Sequence, residues 1–206
     1  MKPVSFDSIA RRPSKLKSRG ALWTVAAVWI GGIVVGGRYL LHYETTPGMA
    51  ATPSAVWPAG VPIQRAQDRP TIVMIAQPAC SCTRASIGEL ETVISQYPDR
   101  AKLFIIFETN TLGVDPRQSS LWQAATRVHG ATVIFDETAS VAGCFQAETS
   151  GQVFLYDPDG KLRYSGGITI SRGHAGESAG SQALATLLAG QQPDVTSAPV
   201  FGCTLN

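Results

Sequence analysis

Cysteine is scarce in this chain, with 4 among 206 residues, and no two of them form a Cys-x-x-Cys pair. The absence of Cys-x-x-Cys-His excludes haem attachment through that motif, and no glycine-rich phosphate loop supports nucleotide binding. Basic residues are not concentrated on the body of the chain. Six of them, offset by Asp7, fall in the first twenty residues, whereas 11 basic and 14 acidic residues follow. No nucleic-acid-binding face is implied. Internal repeats and long low-complexity tracts are missing too, which leaves room for one domain of ordinary size with an adequate core.

What is present starts with charge followed by apolarity. Lys2, Arg11, Arg12, Lys15, Lys17 and Arg19 precede an uncharged run over residues 21–37. Continued through Arg38, which can snorkel, to Leu41, the run is 21 residues long, against the roughly 20 that span a bilayer core. The positive flank places residues 1–20 in the cytoplasm and makes residues 21–41 a transmembrane helix with the rest of the chain outside. A basic region of this length, with no small-x-small site closing the apolar run, argues against a cleaved signal peptide. Gly31-Gly32 and Gly36-Gly37 allow close helix packing but fix no oligomeric state.

Residues 42–69 are small, polar and punctuated by Pro47, Pro53, Pro58 and Pro62. This composition predicts an extended linker that holds the domain away from the membrane. Trp57 within it is expected to pack onto the domain, the alternative being the bilayer interface.

Beyond the linker, apolar runs alternate with helix-period segments. Thr71 to Ala76 reads as a strand, and Ile87, Leu90, Val93, Ile94 and Tyr97 fall on one side of a helix that Pro98 ends. Leu103-Phe-Ile-Ile-Phe107 has the character of a buried central strand, Leu121, Trp122, Ala125 and Val128 mark a second helix, and Val133-Ile-Phe135 a third strand. Val153 to Tyr156 and Leu162 to Tyr164 flank the turn Asp157-Pro-Asp-Gly160, and residues 181–188 supply a last helix. The order is βαβαββα.

At the junction of the first strand and first helix stands Cys80-Ser81-Cys82. Helix-starting N–H groups lack intrahelical partners, and the macrodipole places about +0.5 charge there, so a thiolate is stabilised. Free cysteine, with a pKa of about 8.5, becomes nucleophilic or metal-binding near neutral pH when so placed. Two thiols at such a junction point to redox or metal chemistry.

The element order, with the motif after the first strand, resembles the α/β thioredoxin-like fold, a central mixed sheet flanked by helices, over about residues 69–190. More narrowly, Gln77-Pro-Ala-Cys-Ser-Cys-Thr-Arg-Ala-Ser-Ile-Gly-Glu-Leu90, Thr149-Ser-Gly151, Ser165-Gly-Gly-Ile168, Ser171-Arg-Gly-His174 and the tail Val200-Phe-Gly-Cys203 resemble the RedB-type membrane-anchored thioredoxin-like proteins of bacteria. The resemblance implies a redox role, a single-pass protein of the bacterial cytoplasmic membrane and a periplasmic domain over residues 70–206 ending in a cysteine-bearing tail. It names no substrate. The chain departs from ordinary thioredoxins in its Cys-x-Cys spacing and in Gly151, which stands where a cis-proline normally presents backbone to a substrate peptide.

Two cysteines two apart at a helix start come within bridging distance, yet helical side chains so spaced diverge by roughly 200°. A Cys80–Cys82 disulfide is thus expected to be strained and labile, as suits an exchanging pair. One of the two could instead bridge structurally to Cys144 or Cys203, and three full pairings stay open. Cys203, on a tail that returns past Pro193 and Pro199, is the candidate third thiol. Cys144, beside Val141 and Phe145, reads equally as a small core residue or a partner.

His174, in the glycine-bordered loop Gly173-His-Ala-Gly176, has three readings: general base, metal ligand or surface residue. Ser171 and Arg172 read as turn and surface residues, Arg84 as a thiolate-stabilising or solvated cation, and Asp157 and Asp159 as turn formers.

The expected activity is thiol-disulfide exchange with a thiol- or disulfide-bearing protein partner and no cofactor. Cys80, the more exposed, attacks; Cys82 resolves. Two rivals come from other classes. Cys80, Cys82 and Cys203 with His174 would suit Cu(I) or Zn(II) in a metallochaperone. The resemblance to Sco-type copper carriers is incomplete, because those have three residues between cysteines and a histidine where this chain has Thr149-Ser-Gly151. The other rival is a non-catalytic tethered interaction domain with inert bridges.

Overall fold

The structure is a computed structural model that describes residues 15–108 and 115–205; most of the basic tail, residues 1–14, lies outside them. The chain divides into two compact units at His42/Tyr43.

In the first unit the apolar run forms helix α1, Lys15–Thr45, which continues into the second unit. Its stretch Arg19–Thr45 is long and apolar enough to cross a membrane and is not buried in the protein. The helix therefore ends four residues beyond the expected boundary at Leu41, since no proline or glycine stands between Leu41 and Thr45 to stop it.

The second unit is built on β1 (Thr71–Ala76), β2 (Lys102–Glu108), β3 (Ala131–Asp136), β4 (Gln152–Tyr156), β5 (Leu162–Gly166) and β6 (Ser197–Ala198). They lie in the order β3-β2-β1-β4-β5-β6. β1, β2 and β3 run parallel, β4 runs antiparallel to β1, and β5 pairs antiparallel with β4. The helices between them are α2 (Ser81–Gln96), α3 (Ser120–Ala125), α4 (Ser140–Cys144) and α5 (Ala179–Leu188). Parallel neighbours need crossovers, and α2 and α3 supply them.

Side chains alternate across each strand, so the sheet feeds two cores. Ile72, Met74, Leu103, Ile105, Phe107, Val153 and Leu155 meet Leu90 and Val93 of α2 and Leu184 and Leu188 of α5 on one face. Val73, Ile75, Phe104, Ile106, Phe154 and Tyr156 meet Val141, Phe145, Ile63 and Leu205 on the other. β1 and β4 have no exposed residue on either face, as the uninterrupted apolar runs required.

Two features depart from the sequence expectation. The short helix α4 is absent from the pattern βαβαββα; it forms because the Asp136 carboxylate accepts from the N–H groups of Ser140, Val141 and Ala142 at 3.0, 2.8 and 3.0 Å. The proline-containing segment does not stand off the domain. Its Trp57 N–H donates to Gly160 O at 2.7 Å, Ala55 O accepts from Leu162 N at 2.9 Å, and the Trp57 ring packs edge-on against Phe145 and Tyr156 at 5.4 and 5.3 Å. Trp57 thus packs onto the domain, because proline-set extended backbone is available for pairing with the β4–β5 hairpin.

Candidate functional site

β1 ends at Ala76 and α2 begins at Ser81, with Cys80 at the N-cap in extended backbone (φ −92°, ψ 118°). Because Cys80 lies outside the helix, the helical divergence expected for Cys80 and Cys82 does not apply. The Cys82 and Cys203 thiols both lie close enough to the Cys80 sulfur to act on its ionisation. Three of the four sequence-picked thiols are therefore brought together, and Cys144, at the end of α4 and half-buried, does not belong to the group. All four cysteines are unbridged.

The junction is held by a small polar network. The Gln77 N–H donates to Ser150 Oγ at 2.9 Å, Thr83 Oγ1 donates to Gln77 O at 3.1 Å, and Thr83 Oγ1 and Ser150 Oγ share a 2.7 Å hydrogen bond. Gly151 follows with φ +89°, its N–H donating to Ile75 O at 2.8 Å. That left-handed backbone disfavours any side chain, and a Cβ there would press on Ser86 Oγ. The loop Thr149-Ser-Gly151 thus sits beside the motif.

A second segment closes over it. The Ser150 N–H donates to Cys203 O at 2.8 Å, the Leu205 N–H donates to Glu148 O at 2.9 Å, and Thr149 and Thr204 form an antiparallel bridge. Cys80 is consequently 1% exposed and Cys82 5%. The sequence placed Cys80 as the more exposed of the two; the segment carrying Cys203 covers it instead.

Electrostatics separate the thiols. Burial pushes Cys80 up, but the hydrogen bonds it accepts from the Cys203 thiol and N–H and from the N–H groups of Thr83 and Cys82 outweigh burial and hold it below the ordinary cysteine value. For Cys82, burial and the neighbouring Cys80 charge push the thiol up, opposed by Arg172 and the Gly173 N–H. Cys203 is pushed up to about 12, by burial first and then by its hydrogen bond to Cys80. Of the three thiols, Cys80 is therefore the one favoured to ionise first.

Arg172 is the residue that sequence reasoning undervalued. Its guanidinium faces Cys82 and Cys203, donates to Gly202 O and, at 3.2 Å, to Thr46 O, and lies 5.2 Å over the Tyr43 ring. The block Ser171-Arg-Gly-His174 was the available signal. Arg84 points away, its guanidinium donating to Ser120 Oγ at 2.7 Å. His174 is exposed, with Nδ1 against Arg172 O at 2.8 Å and Ser171 Oγ at 3.2 Å, and it does not join the cysteines. Among the described residues no group of three or more His, Cys, Asp or Glu side chains is arranged to hold a metal ion. Asp157 serves the turn, accepting from the Lys161 N–H at 2.8 Å.

No family model matches the chain, and no curated protein matches it. Solved structures do. An uncharacterized conserved protein from Geobacillus kaustophilus shares 21% identity over 79% of this chain and 92% of its own, with a TM-score of 0.55. A hypothetical protein from Sinorhizobium meliloti 1021 shares 20% identity over 77% and 93%, with a TM-score of 0.51. A secreted disulfide oxidoreductase from Mycobacterium tuberculosis shares 14% over 59% and 81%, with a TM-score of 0.42. With the sheet order and the motif after β1, the likeness is one of fold: the chain is thioredoxin-like, preceded by one apolar helix.

Proposed function

We infer that the chain is a membrane-anchored thiol-disulfide oxidoreductase of the RedB type, acting on protein partners outside the bacterial cytoplasm. The observation that carries this reading is Cys80 at the N-cap of α2, its thiol shifted toward ionisation and the Cys82 and Cys203 thiols beside it. In the reductive direction the Cys80 thiolate attacks one sulfur of a substrate disulfide, forming a mixed disulfide and releasing the other substrate sulfur as a thiolate. That thiolate takes up a proton. Cys82 then loses its proton and attacks Cys80 Sγ, an internal disulfide forms as the second substrate thiol leaves, and two electrons have passed from protein to substrate. The reverse sequence oxidises a dithiol.

The lowered value of Cys80 serves the attack, and Arg172 opposes the burial that keeps Cys82 protonated, easing the second step. The basic flank ahead of the apolar helix supports an N-terminus in the cytoplasm and a domain outside, where disulfides persist.

Cys82→Ser tests the mechanism, since it keeps the attacking thiol and removes the resolving one. It should accumulate a mixed disulfide between Cys80 and a partner protein. Cu(I) and Zn(II) titration of the same variants discriminates the soft-metal reading: no trapped partner, together with stoichiometric metal binding that needs both motif cysteines, would replace exchange by metal carriage.

A further inference from the structure

The segment that hides Cys80 is held in a particular way. It pairs through main-chain groups, antiparallel to the loop before β4: Cys203 O accepts from Ser150, and the Leu205 N–H donates to Glu148. Its cysteine sulfur touches Cys80. Its Leu205 enters the core beside Phe145 and Phe154. Gly202 lies so close that a Cβ would collide with Ser150 O. Backbone pairing, an apolar anchor and one thiol placed on the nucleophile are the elements by which an extended polypeptide is recognised from its main chain.

We propose that Gly202-Cys-Thr-Leu205 is an intramolecular substrate mimic, and that the partners of this site are proteins presenting an extended Gly-Cys-x-Leu-like segment that displaces it. The proposal rests on the exchange reading for its chemistry, but the binding it describes does not need that chemistry. Two specificities follow. The residue before the reacting cysteine must be glycine, because the Ser150 carbonyl leaves no space for a side chain. The residue two after the cysteine is apolar, because it replaces Leu205. With Cys203 displaced, Cys82 is the thiol left beside Cys80 to resolve the mixed disulfide.

Gly202→Ala in the full chain tests this, since the added Cβ should expel the segment, Cys203 with it, while changing none of the cysteines themselves. Compared at saturating pH, where Cys80 is fully ionised in every variant and the loss of the Cys203 donor no longer affects the rate, alkylation of Cys80 should speed up by about tenfold or more, the factor given by about 1.4 kcal/mol of lost closing free energy. Leu205→Asp, which removes the anchor, should act in the same direction, and far-UV circular dichroism confirms that each variant is folded. The binding probe is a labelled Val-Phe-Gly-Ser-Thr-Leu peptide, which carries no thiol. It should bind Gly202→Ala in fluorescence anisotropy at least about tenfold more tightly than it binds the parent, and more tightly than its Val-Phe-Ala-Ser-Thr-Leu counterpart by a similar factor.

Unchanged Cys80 alkylation in both folded variants, or equal binding of the two peptides, overturns the mimic. The exchange reading fails separately: cysteine-bearing disulfide forms of the two peptides would then give no mixed disulfide with Cys80 in Cys82→Ser, whatever the anisotropy shows. Trapping of both forms at equal rate leaves exchange standing and overturns the mimic.

Discussion

Cys80 combines two properties that usually oppose each other, a lowered pKa and almost complete burial. Burial alone would raise a thiol, so the lowering depends on named donors, first among them Cys203. Alkylation of the reduced protein followed against pH should therefore give Cys80 a midpoint below that of free cysteine, about 8.5. Cys203→Ala should move that midpoint upward while making the reaction faster at saturating pH, because the same residue donates and covers. A midpoint at or above the free value in the parent would remove the thiolate assignment. Cys203 itself carries the opposite sign. Its folded value is raised to about 12 from 9.0, so the folded state holds this proton more tightly than the unfolded chain does. The resulting stability is fully present below about pH 9 and is lost as pH rises from there toward 12. Under reductant, urea midpoints of the parent should fall across that window relative to Cys203→Ala, and parallel curves would contradict it. Much of this was written at Cys80-Ser81-Cys82, which announces a helix-start thiol. The covering of Cys80 was not, because burial by a segment 120 residues away is a matter of tertiary pairing, and Arg172 looked like a turn residue for the same reason.

At the scale of elements, the strands, α2 and α5 follow from apolar periodicity and their bounds shift by only a residue or two, whereas α1 starts at Lys15 and ends at Thr45, beyond the expected span at both ends. Segments without a period were harder to read. Helix α4 is five residues long and follows Ala139, its N-cap, in left-handed backbone (φ 54°), so no repeat exists to detect. Its signal is a single Asp136 four residues ahead of Ser140, a carboxylate cap on a one-turn helix. The proline-containing segment misled in the other direction. Prolines suit extended backbone, and extended backbone can pair as readily as it can dangle; Trp57 decides which. The aromatic cluster it joins is centred on Phe145, fully buried and in contact with Trp57, Phe154 and Tyr156. Phe145→Ala should cost about 3–5 kcal/mol, the usual range for a buried phenylalanine. Thermal and urea unfolding of the reduced protein measure it. A loss below about 1 kcal/mol would mean that α4 and the Trp57 segment are peripheral to the core rather than part of it.

For the molecule as a whole, the question is what a thioredoxin-like domain with the proposed exchange activity gains from an apolar helix in front of it. Residues 21–41 are long enough to span, and α1 carries Trp23, Val28, Trp29, Ile33, Val34 and Leu40 exposed, a surface that water does not favour and lipid does. Under the proposed anchoring, tethering would confine the domain to a layer near the membrane and raise its effective concentration toward any partner anchored in the same membrane without any new contact. The sequence bears on orientation more directly than the fold does, because six basic residues precede the run and charge asymmetry about a span sets its direction. The expected arrangement therefore puts Tyr43 and everything after it outside. A reporter active only outside the cytoplasm, fused after Tyr43, should be active, and one active only inside should be silent. Carbonate extraction should leave the full chain in the membrane fraction, and its mass should match an uncut N-terminus. A soluble form cut near Ala50 would make α1 a signal peptide and free the domain to diffuse, whereas cytoplasmic reporter activity would put the thiols in a reducing compartment. There, Cys80 would still attack disulfides, but it would have few to find.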